Sequence, residues 1–214
     1  MKMSVALRTV VMAWICTALP VWADVTADVI ALRSEWDTVN FTLKKEDQVK
    51  PLEALIQKAA ALHKANPGNA PVLIWEGIIH ATYAGAKGGL GALGECKTAK
   101  GLFEQAIVVD PGALNGAAYT SVGSLYYQVP GWPVGFGDDE KAEEMLKQGI
   151  ALGPQDLDAH YFYGDFLVQQ KRWQEAVDVL QAGLATPVDP QRPLFQKGRR
   201  GEMSRLLATA KAKL

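Results

Sequence analysis

Cysteine and histidine are scarce in this sequence. Its 214 residues contain two cysteines and three histidines. Cys16 lies in an N-terminal segment that we expect to be removed, so Cys96 alone remains and no intramolecular disulfide can form. The histidines stand in three separate predicted helices, without the short spacing that is typical of metal ligands. We therefore expect a fold held together by its packed core, with neither a metal nor another cofactor.

The sequence also lacks a strong excess of either charge. Its formal net charge is -1, which implies neither nucleic acid nor an anionic membrane as a partner. After residue 23, no segment approaches the roughly 20 apolar residues that a membrane-spanning helix needs. Hydrophobic residues make up 49% of the chain, which suits one soluble globular unit with an ample core.

The first 23 residues have the features of a secretory signal. Lys2 and Arg8 precede an apolar run from Val10 to Leu19, and Val21-Trp22-Ala23 forms a small-x-small cleavage site. We predict cleavage after Ala23, which leaves 20 basic and 23 acidic residues in the mature chain. Because that chain has no cysteine pair, we expect a bacterial periplasmic location rather than a eukaryotic secretory route.

A spaced pattern of small and apolar residues recurs three times. Each copy has an alanine, an apolar residue four positions later and a small residue three positions after that, and a glycine precedes it in an apolar stretch. The copies are Ala99-Phe103-Ala106, Ala142-Leu146-Gly149 and Ala176-Leu180-Gly183, preceded by Gly77, Gly123 and Gly164. Small residues at these points let two helices approach closely, and such helix pairs must stack to bury their apolar sides.

This pattern resembles the tetratricopeptide repeat, a helix-turn-helix unit. In the last copy Gly164 and Ala176 are twelve residues apart, the spacing that the repeat requires, and Trp173 stands where an aromatic residue is usual. The resemblance implies an all-α solenoid. We predict one helical domain at 24–214, with repeats at about 25–69, 70–115, 116–156 and 157–190 and a solubilising capping helix at about 193–213.

Two repeats carry insertions at the same place, between their two helices. Gly77 and Ala99 are ten residues further apart than the repeat requires, and the added residues include AGAKGGLGALG. Gly123 and Ala142 are seven residues further apart, and the added residues form QVPGWPVGFGDD. Since stacked repeats bring equivalent turns side by side, we expect two enlarged loops on one rim, the first flexible and the second stiffened by its prolines.

The second insertion contains two large rings, Trp132 and Phe136. One interpretation is that both rings fold back and cap the core of the solenoid. The other is that they grip a partner or ligand, since an exposed tryptophan is an effective contact anchor. Both interpretations remain open. Asp138 follows, and we expect it to cap the next helix.

The family resemblance also nominates residues for a concave groove, because the first helix of each repeat lines that groove. In repeat two these residues are Ile74, Ile78 and Thr82; in repeat three they are Thr120, Ser124, Tyr127 and Gln128; in repeat four they are Asp158, Tyr161, Asp165 and Gln169. Such a groove would change from apolar to polar and acidic, which suits an extended peptide or helix with a positive group at one end.

Other motifs have structural interpretations that we favour. GLGALG at 89–94 has the spacing of a dinucleotide fingerprint, but a predicted helix rather than a strand precedes it. Cys96 and the Asp138-Asp139 pair are the sole candidates for catalysis, and we expect packing and capping roles for them. The basic run from Gln191 to Arg200 is interpreted as a solvated face, with docking of a carboxylate-rich partner as the alternative.

These observations predict a non-catalytic periplasmic scaffold that binds another envelope protein or peptide through its groove and looped rim. The alternative is a small-molecule-binding accessory component of an envelope transport system. That alternative rests on a loose similarity to repeat-containing periplasmic components of some transporters, which enclose ligand cavities. In it, Trp132 and Phe136 would roof a cavity for a small solute.

Overall fold

The computed structural model describes residues 22–214 of the chain. The predicted signal segment lies almost entirely outside these residues, so its cleavage and the periplasmic location remain predictions. None of the described helices is both long enough and apolar enough to cross a membrane.

Helices account for nearly all of the regular structure between residues 22 and 214. The nine α-helices are α1 Trp22–Thr42, α2 Val49–Ala65, α3 Ala70–Lys87, α4 Gly89–Val109, α5 Ala113–Gln128, α6 Asp139–Leu152, α7 Leu157–Gln169, α8 Trp173–Leu184 and α9 Pro193–Lys211. The described residues form no strand, and their one β contact is an isolated bridge between Gly131 and Gly137. The predicted all-α class is confirmed.

Polar side chains begin three of these helices. The backbone NH of Val72 donates to Asn69 at the start of α3, and that of Ala159 donates to Asp156 at the start of α7. The NH of Lys141 donates to Asp138 at 3.1 Å, which confirms the expected cap of α6. Each cap satisfies a backbone donor that has no partner within its own helix.

The recurring glycines and apolar residues meet one another inside the helix pairs. A methyl group added at Gly77, Gly123 or Gly164 would collide with a side chain of the partner helix. The side chains met are Phe103, Leu146 and Leu180, which are the central residues of the three repeated patterns and are fully buried. The pattern therefore records close packing between the two helices of each pair.

The insertion in repeat two forms no loop, so this expectation was wrong. It lengthens both helices: α3 continues to Lys87 and α4 begins at Gly89. The turn needs only Gly88 and Gly89, which have φ values of 63° and 67° and therefore adopt a conformation that suits glycine. Tyr83 and Ala84 are buried within the added turns, and this packing offsets the low helix propensity of the other glycines.

The last helix returns to the first. α9 packs against α7 and α8, as a capping helix does, and it also contacts α1. Arg192 forms an ion pair with Asp37, and the rings of Phe195 and Phe41 pack edge to face with centroids 5.9 Å apart. Gly198 lies directly against the Phe41 ring. The row of helices is thereby closed across its inner side.

Candidate functional site

A cavity of about 600 Å³ lies where the inner helices face α9. Its lining comes mainly from α1, α3, α5, α7 and α9 and from the connections before α7 and α9, with Phe103 of α4 and Leu152 of α6. Cavities that bind small organic molecules have volumes of roughly 300–1,000 Å³. The closure by α9 therefore converts an open groove into a space of ligand size.

Aromatic rings form much of the cavity wall. Trp36 and Trp75 pack edge to face with centroids 5.7 Å apart, and both are almost fully buried. The indole NH of Trp36 donates to the hydroxyl of Thr82 at 2.9 Å, which fixes the orientation of that ring. Leu114 and Leu152 also line the cavity and keep 38% and 42% of their surface exposed. An apolar ligand would thus find both a wall and an exposed apolar margin.

The guanidinium groups of three arginines also line the cavity, and two of them are neutralised. Arg192 donates to both carboxylate oxygens of Asp37, at 3.0 and 2.6 Å, and stacks over Phe195 at 3.8 Å from the ring centroid. Arg199 is paired with carboxylates of α7 and of its own helix. The basic run was interpreted as a solvated face, and this was wrong for Arg192 and Arg199. Both are buried against aromatic rings, where each charge needs a partner.

The third cavity arginine, Arg33 in α1, has a different environment. Among the described residues it forms no ion pair, and its buried Nε has no hydrogen-bond partner. Burial and the neighbouring charge of Arg192 lower the pKa of Arg33, while Asp37 and Asp189 oppose this effect. A buried donor without a partner is costly, on the order of 1–3 kcal/mol.

Arg199 covers part of the predicted groove. Its guanidinium lies 4.0 Å from the Tyr161 ring centroid and forms 2.6 Å ion pairs with Asp158 and Glu202. The Nε of Arg199 and Oδ1 of Asp158 are close in space but are not aligned as a hydrogen bond. Burial raises the pKa of Tyr161. The structure therefore places Asp158 and Tyr161 beneath α9, where a peptide in an open groove would otherwise lie.

Asp156 adds a second carboxyl group beside this cluster. It caps α7, and it lines the cavity next to Asp158. Burial, and then the charge of Asp158, raise the pKa of Asp156 to about 6. This group therefore changes its charge close to neutral pH.

The other predicted groove residues fall into three groups. In repeat two, Ile78 and Thr82 line the cavity, whereas Ile74 is fully buried in the core. Thr120 and Ser124 are buried in α5 and line the cavity. The remaining four form a hydrogen-bonded cluster at the C-terminal ends of α5 and α7: Tyr127 donates to Asp165 at 2.8 Å, Gln128 donates to Tyr127 at 3.1 Å and Gln169 donates to Asp165 at 3.1 Å. Burial raises the pKa of Tyr127 well above its usual value. Gln128 and Gln169 are exposed.

The two aromatic rings of the 128–139 loop have different environments. Phe136 packs edge to face on Tyr126 at 5.9 Å, with the Lys100 ammonium near both rings. Trp132 is 91% exposed, and Val134 beside it is 65% exposed. Phe136 therefore caps the core, whereas Trp132 does not.

Neither ring lines the cavity, which overturns the expectation that Trp132 and Phe136 roof it. The cavity is lined by residues of α5 between Leu114 and Ser124, and the loop follows the C-terminal end of that helix.

Cys96 and two of the histidines lie in environments that favour structural roles over catalysis. Burial raises the pKa of the half-buried Cys96 thiol, which disfavours the reactive thiolate. His63 and His80 contact Glu76 and Glu95 at 2.6 and 2.7 Å. The part of the chain described by the structure contains no group of three side chains able to hold a metal ion.

Sequence reasoning missed the cavity side chains Arg33, Trp36 and Trp75. They stand in amphipathic helices whose apolar spacing predicts core packing. One signal was available for Arg33, because it interrupts the apolar stripe of α1 beside Leu32 and Trp36. No sequence signal shows that α9 would close the space.

Comparisons with known proteins agree with this architecture. The family model "Tetratricopeptide repeat" matches residues 135–197. The crystal structure of TTC0263, a thermophilic TPR protein from Thermus thermophilus, is similar with a TM-score of 0.53 and 19% identity, over 77% of this chain and 84% of that chain. A crystal structure of MamA has a TM-score of 0.45 and 20% identity, over 79% and 92%. No curated protein is significantly similar to the sequence. Residues 135–197 therefore match the tetratricopeptide repeat, and over most of the chain the fold is similar to that of a tetratricopeptide-repeat protein.

Proposed function

We propose that the protein is a non-catalytic scaffold of the bacterial periplasm that binds another envelope protein or peptide. The repeat fold itself supports a protein-interaction role. Trp132 supports a binding surface on the loop, because its indole is 91% exposed beside the 65% exposed Val134, and tryptophan is enriched among the residues that dominate binding energy at interfaces. The location is inferred from the N-terminal signal pattern.

The backbone of the 128–139 loop is already ordered around Trp132, so little conformational entropy is lost when this residue binds a partner. The NH of Gly137 donates to the carbonyl of Pro130 at 3.0 Å, and the NH of Asp138 donates to that of Tyr126 at 2.8 Å. These bonds fasten the base of the loop on both sides of Trp132. An anchor that is already ordered loses little conformational entropy when it binds.

The neighbouring polar residues extend this surface. Gln128 and Gln169 are exposed at the ends of α5 and α7, where the hydrogen-bonded cluster with Tyr127 and Asp165 holds them. Interfaces combine an aromatic anchor with a polar rim of this kind. We infer that the partner contacts the loop rim and this cluster, since α9 covers the rest of the predicted groove.

Affinity purification with matched variants tests this function. Tagged mature protein, residues 24–214, would be recovered from an envelope extract of its own host as wild type, Trp132→Ala and Val108→Ala. Val108 is an exposed apolar residue on α4 and serves as the control. We expect a co-purifying protein whose recovery falls at least tenfold with Trp132→Ala and is unchanged with Val108→Ala. Equal recovery with all three forms would contradict the proposal.

The cavity favours a second candidate function, a small-molecule-binding accessory of an envelope transport system. Its volume is in the ligand range and its wall combines aromatic rings with a few charged groups. Native mass spectrometry of gently purified protein tests this function. A small-molecule mass bound to the intact chain would support it, and a chain free of added mass would count against it.

A further inference from the structure

We propose that the cavity binds a small organic monocarboxylate, with the carboxylate on Arg33 and the apolar body between Trp36, Trp75 and the neighbouring wall. This inference rests on the second candidate function, since it names the ligand class for that cavity. It commits to a free small molecule rather than to a segment of a protein partner.

The first observation concerns the ion pairs of the three arginines that line the cavity. Arg192 and Arg199 each have a carboxylate partner within the protein, whereas Arg33 has none among residues 25–214. The Nε of Arg33 is shielded from solvent and has no hydrogen-bond partner. A guanidinium binds a carboxylate through parallel hydrogen bonds, and an anionic ligand would supply the counter-charge that Arg33 lacks. Because the Nε has almost no accessible surface, the terminal nitrogens of Arg33 would donate these bonds.

The second observation concerns the carboxylates of the cavity wall, because an aspartate without a partner there would repel an anionic ligand. Asp158 is paired with Arg199. Asp156 accepts a hydrogen bond from the NH of Ala159, and Asp189 accepts one from the NH of Gln191. Each of the three therefore already has an ion-pair or hydrogen-bond partner within the protein, whereas the Nε of Arg33 has no acceptor.

The electrostatics of Arg33 point the same way. Burial and the nearby Arg192 lower its pKa more than Asp37 and Asp189 raise it, which is the direction expected for a positive charge with too little compensation. A bound carboxylate would reverse this effect.

The apolar wall of the cavity determines the chemistry that we expect for the rest of the ligand. Trp36 and Trp75 present fixed rings, and Ile78 and Phe103 continue the apolar surface into the core. A ligand of this volume would bury most of its surface there. A purely ionic solute, such as a bare inorganic anion, would leave these walls unmatched. An apolar body attached to one carboxylate matches both parts of the site.

Titration with matched probe pairs tests the ligand class. The probes are decanoate with decanamide and indole-3-acetate with indole-3-acetamide, added to the mature chain and followed by calorimetry. Each amide keeps the shape of its partner and lacks the charge. We expect at least one carboxylate to bind at least tenfold more tightly than its own amide.

Two variants test the role of Arg33. Arg33→Met keeps an unbranched apolar stem and removes the charge, and we expect it to bind carboxylate and amide equally. Arg205→Met removes an exposed arginine of α9 outside the cavity and should keep the preference. The melting temperature of Arg33→Met reports on folding, and we expect no loss because the variant removes an unpartnered donor. A preference retained in Arg33→Met would overturn the assignment of that residue.

The remaining outcomes separate this inference from the function on which it rests. If each amide binds as tightly as its carboxylate, the cavity binds small molecules and the anionic class is wrong. If no probe binds below about 1 mM and the purified protein carries no small-molecule mass, the second candidate function fails as well. A native ligand that proves to be neutral or cationic would overturn the inference alone.

Discussion

Arg192, just before α9, donates two hydrogen bonds to the carboxylate of Asp37 in α1, 155 residues earlier in the chain. Both side chains are largely buried, with 14% and 7% of their surface exposed. A stack of repeats needs contacts only between neighbours, so this pair is not required by the repeat architecture. It fixes the closure that encloses the cavity.

The first prediction concerns the strength of this closing pair. Asp37→Asn should lower the free energy of unfolding by about 3 kcal/mol, because it leaves the buried Arg192 charge without its counter-charge. Urea denaturation measures this change. The double variant Asp37→Leu with Arg192→Met should cost less than Asp37→Asn alone, since it leaves no orphaned charge. If the loss of unfolding free energy in the double variant equals the sum of the losses in Asp37→Leu and Arg192→Met, the two side chains are not coupled.

The second prediction uses two glycines of α9. A methyl group at Gly198 would overlap the Phe41 ring, while one at Gly201 would meet only the end of Arg205 at 3.7 Å. Gly198→Ala should therefore destabilise the protein by about 1–3 kcal/mol. Gly201→Ala should stabilise it by up to about 1 kcal/mol through helix propensity. Thermal melting of both variants checks this, and a stabilised Gly198→Ala would mean that α9 does not press on α1.

The third prediction separates the two rings of the 128–139 loop. Phe136→Ala should lower the melting temperature, because the ring packs on Tyr126 and the core beneath it. Trp132→Ala should leave it within about 1 °C, because 91% of that side chain is already exposed. Differential scanning calorimetry of the two variants provides the comparison. A large loss with Trp132→Ala would show that this ring caps the core and would remove the basis for its binding role.

The fourth prediction concerns pH and Asp156. The pKa of this carboxyl is raised from 3.8 to about 6 by folding, so the folded state holds a proton that the unfolded state releases between these values. The contribution of Asp156 to stability therefore falls as pH rises from about 4 to about 6. Asp156→Asn keeps an oxygen that can cap α7 and removes the titration.

Relative to wild type, Asp156→Asn should become more stable between pH 4 and pH 7, by on the order of 2 kcal/mol. Unfolding by urea at both pH values measures the difference, and titrating groups away from Asp156 cancel because both proteins share them. A stability difference that is the same at both pH values would show that Asp156 is not held in its protonated form.

The part of this fold that the sequence predicts depends on the spacing of residues in helices that are adjacent in the chain. The glycines at 77, 123 and 164 pair with Phe103, Leu146 and Leu180, and each pairing joins two helices that are adjacent in the chain. A pattern of this kind determines the class of fold. The glycines at 85–94 misled because they were interpreted as a loop, whereas packing around Tyr83 keeps that segment helical.

The candidate site could not be predicted in the same way. Arg33, Trp36 and Trp75 form a cavity wall only because α9 returns to α1, and that contact joins residues far apart in sequence. A repeat pattern describes neighbours and carries no information on whether the ends of the stack meet. For the same reason, Arg192 and Arg199 read as surface charges until their distant carboxylates are known.

Hydrogen exchange in α1 tests the closure most directly, since the covered groove and the cavity both depend on it. Arg192→Ala would be compared with wild type and with Arg205→Ala, an exposed change within α9. We predict that exchange of the amides at 33–42 rises at least tenfold with Arg192→Ala and is unchanged with Arg205→Ala. Equal exchange at 33–42 in all three proteins would show that α9 does not hold α1, and the enclosed cavity would be contradicted.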